Sequence, residues 1–251
     1  MIETRAVVEY LNDFLRVAEI GDASLNGLQV QGPDEINKIA FAVDYSSRAA
    51  KLAAEEGAQL LVVHHGLFWG KEQPITGLLY HRVREMFELG VGLYAVHLPL
   101  DVHPEVGNGI SVCNSLDLEG LELFGSSHGV NVGLRGVLPE PYNIDDFVGK
   151  LRTLFGEGVT EFRFGPSKVI SVGVVTGGGS SMIDQAVVAE LDAFVTGEVK
   201  HGAYFIGEEG GVNLYACGHY ATELTGIKAL MAHIEDEFDV ETILIDIPTG
   251  L

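Results

Sequence analysis

The chain of 251 residues has only two cysteines, Cys113 and Cys217, far apart and without partners at the spacing of a zinc clip. A disulfide scaffold and a zinc finger are both excluded. Basic residues are scarce: 15 Lys and Arg, seven of them Lys, stand against 36 Asp and Glu, for a formal charge of −21 and a pI of about 4.6. That balance lacks the cationic footprint that neutralises a phosphate backbone, so nucleic acid is not an expected partner. No run of about 18 uncharged apolar residues occurs, and Met1-Ile2-Glu3-Thr4-Arg5 leads into an amphipathic segment, not a basic patch and apolar core. A cytoplasmic protein with no membrane partner is expected. Prolines are few, 8 against 32 glycines, in a chain that is 47% apolar and 20% charged, which is a folded, globular composition. The acidity recurs along the whole chain. It fits either a salt-rich, halophilic host, where salt screens the self-repulsion of an anionic surface, or an ordinary acidic protein.

What is present is a repeated α/β pattern. Val7, Leu11, Phe14 and Leu15 stand at helical spacing after Thr4, which is placed to cap a first helix. Residues 39–43 and 60–63 read as buried strands around a helix over 46–56. A helix over 80–89 stops at Gly90, and 92–96 gives a third strand, so the order is that of a parallel sheet with covered faces. The second half repeats it with strands 169–175, 193–196 and 211–216 and a helix over 181–190. Gly211-Val212-Asn213-Leu214-Tyr215-Ala216 closely matches Gly90-Val91-Gly92-Leu93-Tyr94-Ala95. Two related α/β lobes with largely parallel or mixed sheets are expected, residues 1–125 and 126–251. The boundary is placed where 125–136 turns polar and Gly-rich, ahead of a helix over 144–154.

The residues that could carry chemistry sit just beyond strand carboxyl ends, where open α/β sheets place ligand sites. His64-His65-Gly66 ends the second strand. Side chains alternate along a strand, so the two imidazoles point apart unless the turn re-aims them, and they could serve two ions. His97 and Asp101 are four apart, as are His219 and Glu223, the spacing at which two side chains share a helical face. Pro99 disfavours helix at Leu98 and leaves the first pair either a loop or a helical clip. Imidazole and carboxylate donors without thiolate suit Zn, Mn, Fe, Co or Ni, and five or six donors exceed what one tetrahedral ion with an open position takes. Two divalent ions about 3.5–4 Å apart, sharing a carboxylate, are the economical count. The plain alternative is that each histidine separately caps a strand or bonds a carbonyl.

Other positions carry two readings each. His103 lines a pocket or decorates a loop. Lys200-His201, at the position taken as equivalent to His64-His65, contacts an anionic substrate or is a loop pair. Thr176-Gly177-Gly178-Gly179-Ser180-Ser181 leads from a strand into a helix and receives a phosphate or is a tight turn. Asp44 is a helix cap or a site residue. Trp69 and Phe68 form a pocket wall or an intersubunit contact, with core packing the plain reading of Phe68.

Several of these motifs occur together: Asn26-Gly27-Leu28-Gln29-Val30, Val63-His64-His65-Gly66-Leu67-Phe68-Trp69, the stretch from His97 to Asp101 followed by Gly107-Asn108, Thr176-Gly177-Gly178-Gly179, Thr196-Gly197-Glu198 and Gly218-His219-Tyr220-Ala221-Thr222-Glu223. In combination, over nearly the whole chain, the sequence resembles the NGG-interacting-factor-like family of dinuclear metal-centre proteins, also labelled GTP cyclohydrolase 1 type 2 homologues. The resemblance implies a two-lobed α/β protein that assembles as a toroidal homohexamer and holds two divalent metal ions, iron, zinc or manganese, in the cleft between its lobes. It implies His64, His65, Asp101, His219 and Glu223 as ligands, Glu223 bridging, with His97 beside the site. The length matches members that lack the large inserted domain. The implied activity is that of a metal-dependent hydrolase of GTP or another phosphorylated or cyclic-amide substrate. For GTP, ring opening needs water attack at C8 and loss of formate. The alternative is a non-catalytic metal-binding or regulatory assembly, since nothing in the sequence picks out guanine.

Overall fold

The computed structural model describes all 251 residues. In chain order the elements are β1 (Ile2–Glu3), α1 (Thr4–Phe14), β2 (Gly27–Val30), β3 (Glu35–Ile36), β4 (Lys38–Asp44), α2 (Ser47–Glu55), β5 (Leu60–His65), α3 (Gly77–Leu89), β6 (Gly92–Ala95), α4 (Leu98–Asp101), α5 (Asn108–Ser115), β7 (Glu119–Ser127), β8 (Val130–Asn143), α6 (Ile144–Phe155), β9 (Thr160–Phe162), β10 (Lys168–Val175), α7 (Ile183–Val188), β11 (Ala193–Thr196), α8 (His201–Gly210), β12 (Asn213–Ala216), α9 (His219–Glu237) and β13 (Glu241–Leu244). No helix is long and apolar enough to cross a membrane.

Two compact units result: Met1–Leu100 with Ile227–Ile247, and Asp101–Gly226 with Pro248–Leu251. This differs from a single cut near residue 125. That position lies inside β7, whose antiparallel ladder with β8 keeps it in the second unit, and β13 joins the sheet of the first unit by pairing parallel with β4.

The first unit is built on a five-stranded sheet, order β13-β4-β5-β6-β2, parallel except for β2 at one edge. Leu60, Leu61, Val62 and Val63 are all fully buried, as a central parallel strand covered on both faces requires. Ala49, Ala50 and Ala53 let α2 lie close on one face, against Ala40, Ala42, Leu61 and Val63. On α1 the hydroxyl of Thr4 donates to the Pro33 carbonyl, and Glu3 occupies the cap position. Thr4 therefore ties the helix to the neighbouring loop instead of capping it. Ser46 does cap α2, its Oγ accepting from Ala49 N at 3.0 Å.

The second unit has a six-stranded sheet, order β7-β8-β10-β11-β12-β9, with β10, β11 and β12 parallel and the flanking pairs antiparallel. Its two faces carry separate cores. One gathers Phe147, Val148 and Leu151 of α6 with Val172, Val174, Val195 and Tyr215; the other gathers Ile183, Ala186 and Ala203 with Val175, Phe194 and Leu214. Each buried side chain of this size contributes about 1.5–3 kcal/mol.

The two units share a strand-helix-strand-helix-strand run, β4 to β6 and β10 to β12, and the repeated hexapeptide does the same work in both. Gly90 and Gly211 are left-handed C-caps with φ of 67° and 66°, and Leu93, Tyr94, Leu214 and Tyr215 are fully buried in the strands that follow.

Candidate metal centre

In the first unit three histidines converge. His64 and His65 end β5 and His97 lies just past β6, with ring centroids 4.6 to 5.5 Å apart, and one nitrogen of each ring within 4.8 Å of the others. Alternation alone would part the adjacent pair. Acceptors on the two flanking strands turn the rings: His64 Nδ1 lies 2.9 Å from the Val96 carbonyl, and His65 Nδ1 lies 2.8 Å from Asp44 Oδ1. His97 Nδ1 in turn lies 3.0 Å from Asp22 Oδ1. Carbonyl and carboxylate oxygens only accept, so Nδ1 carries the proton in each neutral ring and Nε2 the lone pair, the arrangement in which an oxygen behind an imidazole fixes its orientation for a metal. Asp44 thus holds a ring of this cluster, and the cap of α2 is Ser46.

Trp69 stands against this cluster. Its indole N–H donates to the Gly66 carbonyl at 3.0 Å, and its ring is nearly perpendicular to His97 at 4.9 Å and tilted to His65 at 5.9 Å. Phe68 packs on the hydrophobic core of the first unit. Asp22 is almost fully buried. Burial opposes its ionisation, yet hydrogen bonds from His97, Asn26 and the Leu98 N–H together hold its carboxyl well below the usual carboxylate range.

The second unit supplies carboxylates. Glu223, one turn into α9, is 3% exposed; its Oε1 lies 3.1 Å from His219 Nε2, and a carboxylate oxygen lies within 4.8 Å of one on Asp101. Glu223 therefore stands between the other two donors. Asp101 accepts from Asn108 Nδ2 at 2.8 Å and from Thr176 Oγ1 at 3.3 Å, and the fully buried Asn108 is fixed through its Oδ1, which accepts from Gly226 N. The hydrogen bond to Glu223, against the cost of burial and aided by the charges of Glu223 and Glu198, pushes the His219 imidazole up to about 9. Leu98–Asp101 forms one helical turn, with Pro99 where a missing N–H leaves no bond unmade, but His97 lies before that turn and shares no donor group with Asp101, so the pair does not form the clip that its spacing suggested.

Gly177 explains the glycine-rich loop. With φ of +58°, a Cβ there would fall 2.1 Å from Glu223 Oε1 and 3.1 Å from His219 Nε2. Its N–H is taken by Thr222 Oγ1 at 3.0 Å, and its carbonyl accepts from the N–H groups of Gly197 and Glu198. The loop thus presses backbone against carboxylates, the opposite of a cradle for phosphate.

Register also moves one equivalence. Val63 pairs with Ala95 in the first unit as Thr196 pairs with Ala216 in the second, so His64-His65 correspond to Gly197-Glu198. Lys200 and His201 lie beyond that point: Lys200 precedes α8, with its backbone N–H on Ser180 Oγ, and the exposed His201 opens that helix. Glu198 is the residue at the corresponding position, and its Oε2 lies 3.5 Å from His219 Nδ1. His103 Nδ1 accepts from Glu105 N and Val106 N at 3.3 and 3.2 Å and so closes its own turn. Burial pushes the Cys113 and Cys217 thiols up to about 12, away from reactivity.

Asp22, Asn26, Asn108 and Glu198 acquire roles here that spacing did not reveal. Asn26, Asn108 and Glu198 lie within the recurring motifs, whereas Asp22 carries no local signal beyond lying four residues before Asn26.

Fold and donor chemistry define a class: an α/β protein with clusters of metal-ligand type at the carboxyl ends of its parallel strands. The chain belongs to the family described as Duf34/NIF3 (NGG1p interacting factor 3), which it matches over residues 2–250. It is 43% identical over 245 residues to a Deinococcus radiodurans protein, covering 98% of this chain and 93% of that one. It is likewise 43% identical over 246 residues to a Pyrococcus horikoshii protein, covering 98% of each. Both bear the name GTP cyclohydrolase 1 type 2 homolog. Among solved structures, a Thermus thermophilus protein aligns with TM-score 0.91 at 38% identity, and the protein ybgI, described as of unknown function, with TM-score 0.93 at 33%, each covering the whole of both chains.

Proposed function

We propose that the chain binds two divalent cations through His64, His65, Asp101, His219 and Glu223, and that it is a metal-dependent hydrolase. The observation behind this reading is the shared orientation of the three imidazoles of the first unit, each with Nδ1 tied to an oxygen and Nε2 left as the electron-pair donor. Neutral imidazoles and carboxylates fit Zn, Mn or Fe, and the carboxylates of Asp101 and Glu223 offset the charge that imidazoles alone would leave uncompensated. A bound metal pair would acidify water and polarise a substrate oxygen.

In this reading Glu223, whose carboxylate neighbours both Asp101 and His219, is the shared ligand. Asn108 and Thr176 hold Asp101 in orientation, and Asp44 does so for His65. Trp69 shields one side of the imidazoles from water and offers a flat apolar wall to a substrate ring. The relatives' name favours a nucleotide such as GTP as substrate. The chain's charge of −21 would repel a triphosphate, and that repulsion makes the cations a condition of binding. The toroidal homohexamer belongs to the same proposal and is tested by light scattering coupled to size exclusion.

The decisive measurement is metal content after reconstitution with Fe, Mn or Zn, followed by a turnover panel of GTP, other nucleotides and phosphodiesters. Two ions per chain, lost in Glu223→Gln, with metal-dependent formate release from GTP, is the expected result. If the His65→Ala and Glu223→Gln variants each kept one ion set intact, the two units would bind metal separately and the shared pair would be wrong. Binding of two ions without turnover of any substrate would leave the non-catalytic assembly as the function.

A further inference from the structure

His97 lies beyond the last residue of β6, outside the strand ladder that fixes His64 and His65, yet both its backbone and its ring are held by side chains. Two side chains from the segment before β2 do this. Asn26 Oδ1 accepts from the His97 backbone N–H at 2.8 Å, and Asp22 accepts from the ring Nδ1 at 3.0 Å and from the Leu98 N–H at 2.9 Å. Asp22 also accepts from Ser24 N at 3.1 Å and from Asn26 Nδ2 at 2.9 Å. Four donors match the roughly four lone-pair directions of a carboxylate, so Asp22 has no reason to carry a proton and can only accept. Asn26, donating to Asp22 through Nδ2, must turn its Oδ1 towards His97. The two residues form one clamp with one possible set of proton positions.

Burying a carboxylate strips it of hydrating water, and an apolar residue would serve packing alone at lower cost. The clamp has an additional consequence: it places the proton of His97 on Nδ1 and the lone pair on Nε2, in a ring with one nitrogen within 4.8 Å of one on each of His64 and His65. We propose that Asp22, braced by Asn26, is the positioning residue of His97, and that this makes His97 an oriented nitrogen donor of the metal centre. The tautomer part of the proposal stands on the hydrogen bonds; the metal part rests on the function proposed above.

The test has two arms. In metal-free wild-type protein at pH 8, long-range nitrogen–proton spectra of the histidine rings are expected to show His97 as the Nδ1–H tautomer; an Nε2–H form would overturn the proposal without any variant being made. In the second arm, zinc affinity is measured by calorimetry for Asp22→Asn, His97→Ala and the double variant. Asp22→Asn and His97→Ala are each expected to weaken zinc binding by about 10–100-fold, and the double variant by no more than His97→Ala. If Asp22→Asn weakened zinc equally in the His97→Ala background, Asp22 would act through the fold and not through His97, and the proposal would fail. Wild-type protein that binds no zinc would sink the metal reading, whereas the first arm would still decide the role of Asp22.

Discussion

The two strand-helix-strand-helix-strand runs end differently, although their registers coincide. Where β5 of the first unit presents His64 and His65, β11 of the second leads into Gly197 and Glu198. Where β4 ends in Asp44, the matching position after β10 is Gly177. The first unit thus presents imidazoles, two of them backed by carboxylates, Asp44 and Asp22, and the third by the Val96 carbonyl. The second offers carboxylates directly, with the backbone of Gly177 drawn close to make room for Glu223. One scaffold thus gathers imidazoles at the strand ends of one unit and sets carboxylates beside the imidazole of His219 in the other.

The largest effect that would break this contrast is expected from Glu223→Gln, which keeps the shape but removes the charge: metal affinity should fall by more than about 100-fold, against about 10-fold for loss of Asp44, which holds the His65 ring, as read by calorimetry. Next comes Gly177→Ala, which sets a methyl carbon on Glu223 in a left-handed backbone; destabilisation by about 2–4 kcal/mol in urea titration is expected, together with metal loss. Asn108→Ala strips Asp101 and the Gly226 N–H of their partner in a fully buried place, and should cost about 1–3 kcal/mol and loosen the ions. A smaller, pH-dependent effect comes from His219. Its imidazole is raised from 6.5 to about 9 in the folded chain, so its contribution to the stability of metal-free protein is complete below 6.5 and is lost as pH rises through 9. Melting temperatures between these limits should fall with pH in the wild type and less in Glu198→Gln. Because metal must displace that proton, zinc affinity should rise over the same interval. Smallest of all, Lys200→Ala should leave metal binding unchanged, as expected if Glu198 and not Lys200 takes the position of the first unit's imidazoles.

Much of this was legible in the sequence. The strands at 39–43, 60–63, 169–175 and 193–196 recur with ends shifted by at most two residues, because short apolar runs between helical segments leave few other ways to bury both faces. His64, His65, His219 and Glu223 stood out because donors cluster at strand ends. The misplaced equivalence of Lys200-His201 arose from counting along a loop, where only the ladder can fix correspondence. The role expected of Thr4 failed because its hydroxyl found a carbonyl 29 residues away. The boundary near 125 failed because a change in composition marked a hairpin, not a division between units.

The sequence by itself determined the elements, the donor types and the points where strands stop, since hydrophobic period and glycine punctuation act over a few residues. Tertiary structure alone decided which nitrogen of each imidazole carries its proton and which backbone yields to a carboxylate. Those choices hang on oxygens brought from 21 to 75 residues away, Asp44 to His65 and Asp22 to His97, and no local pattern encodes a hydrogen bond made across that distance.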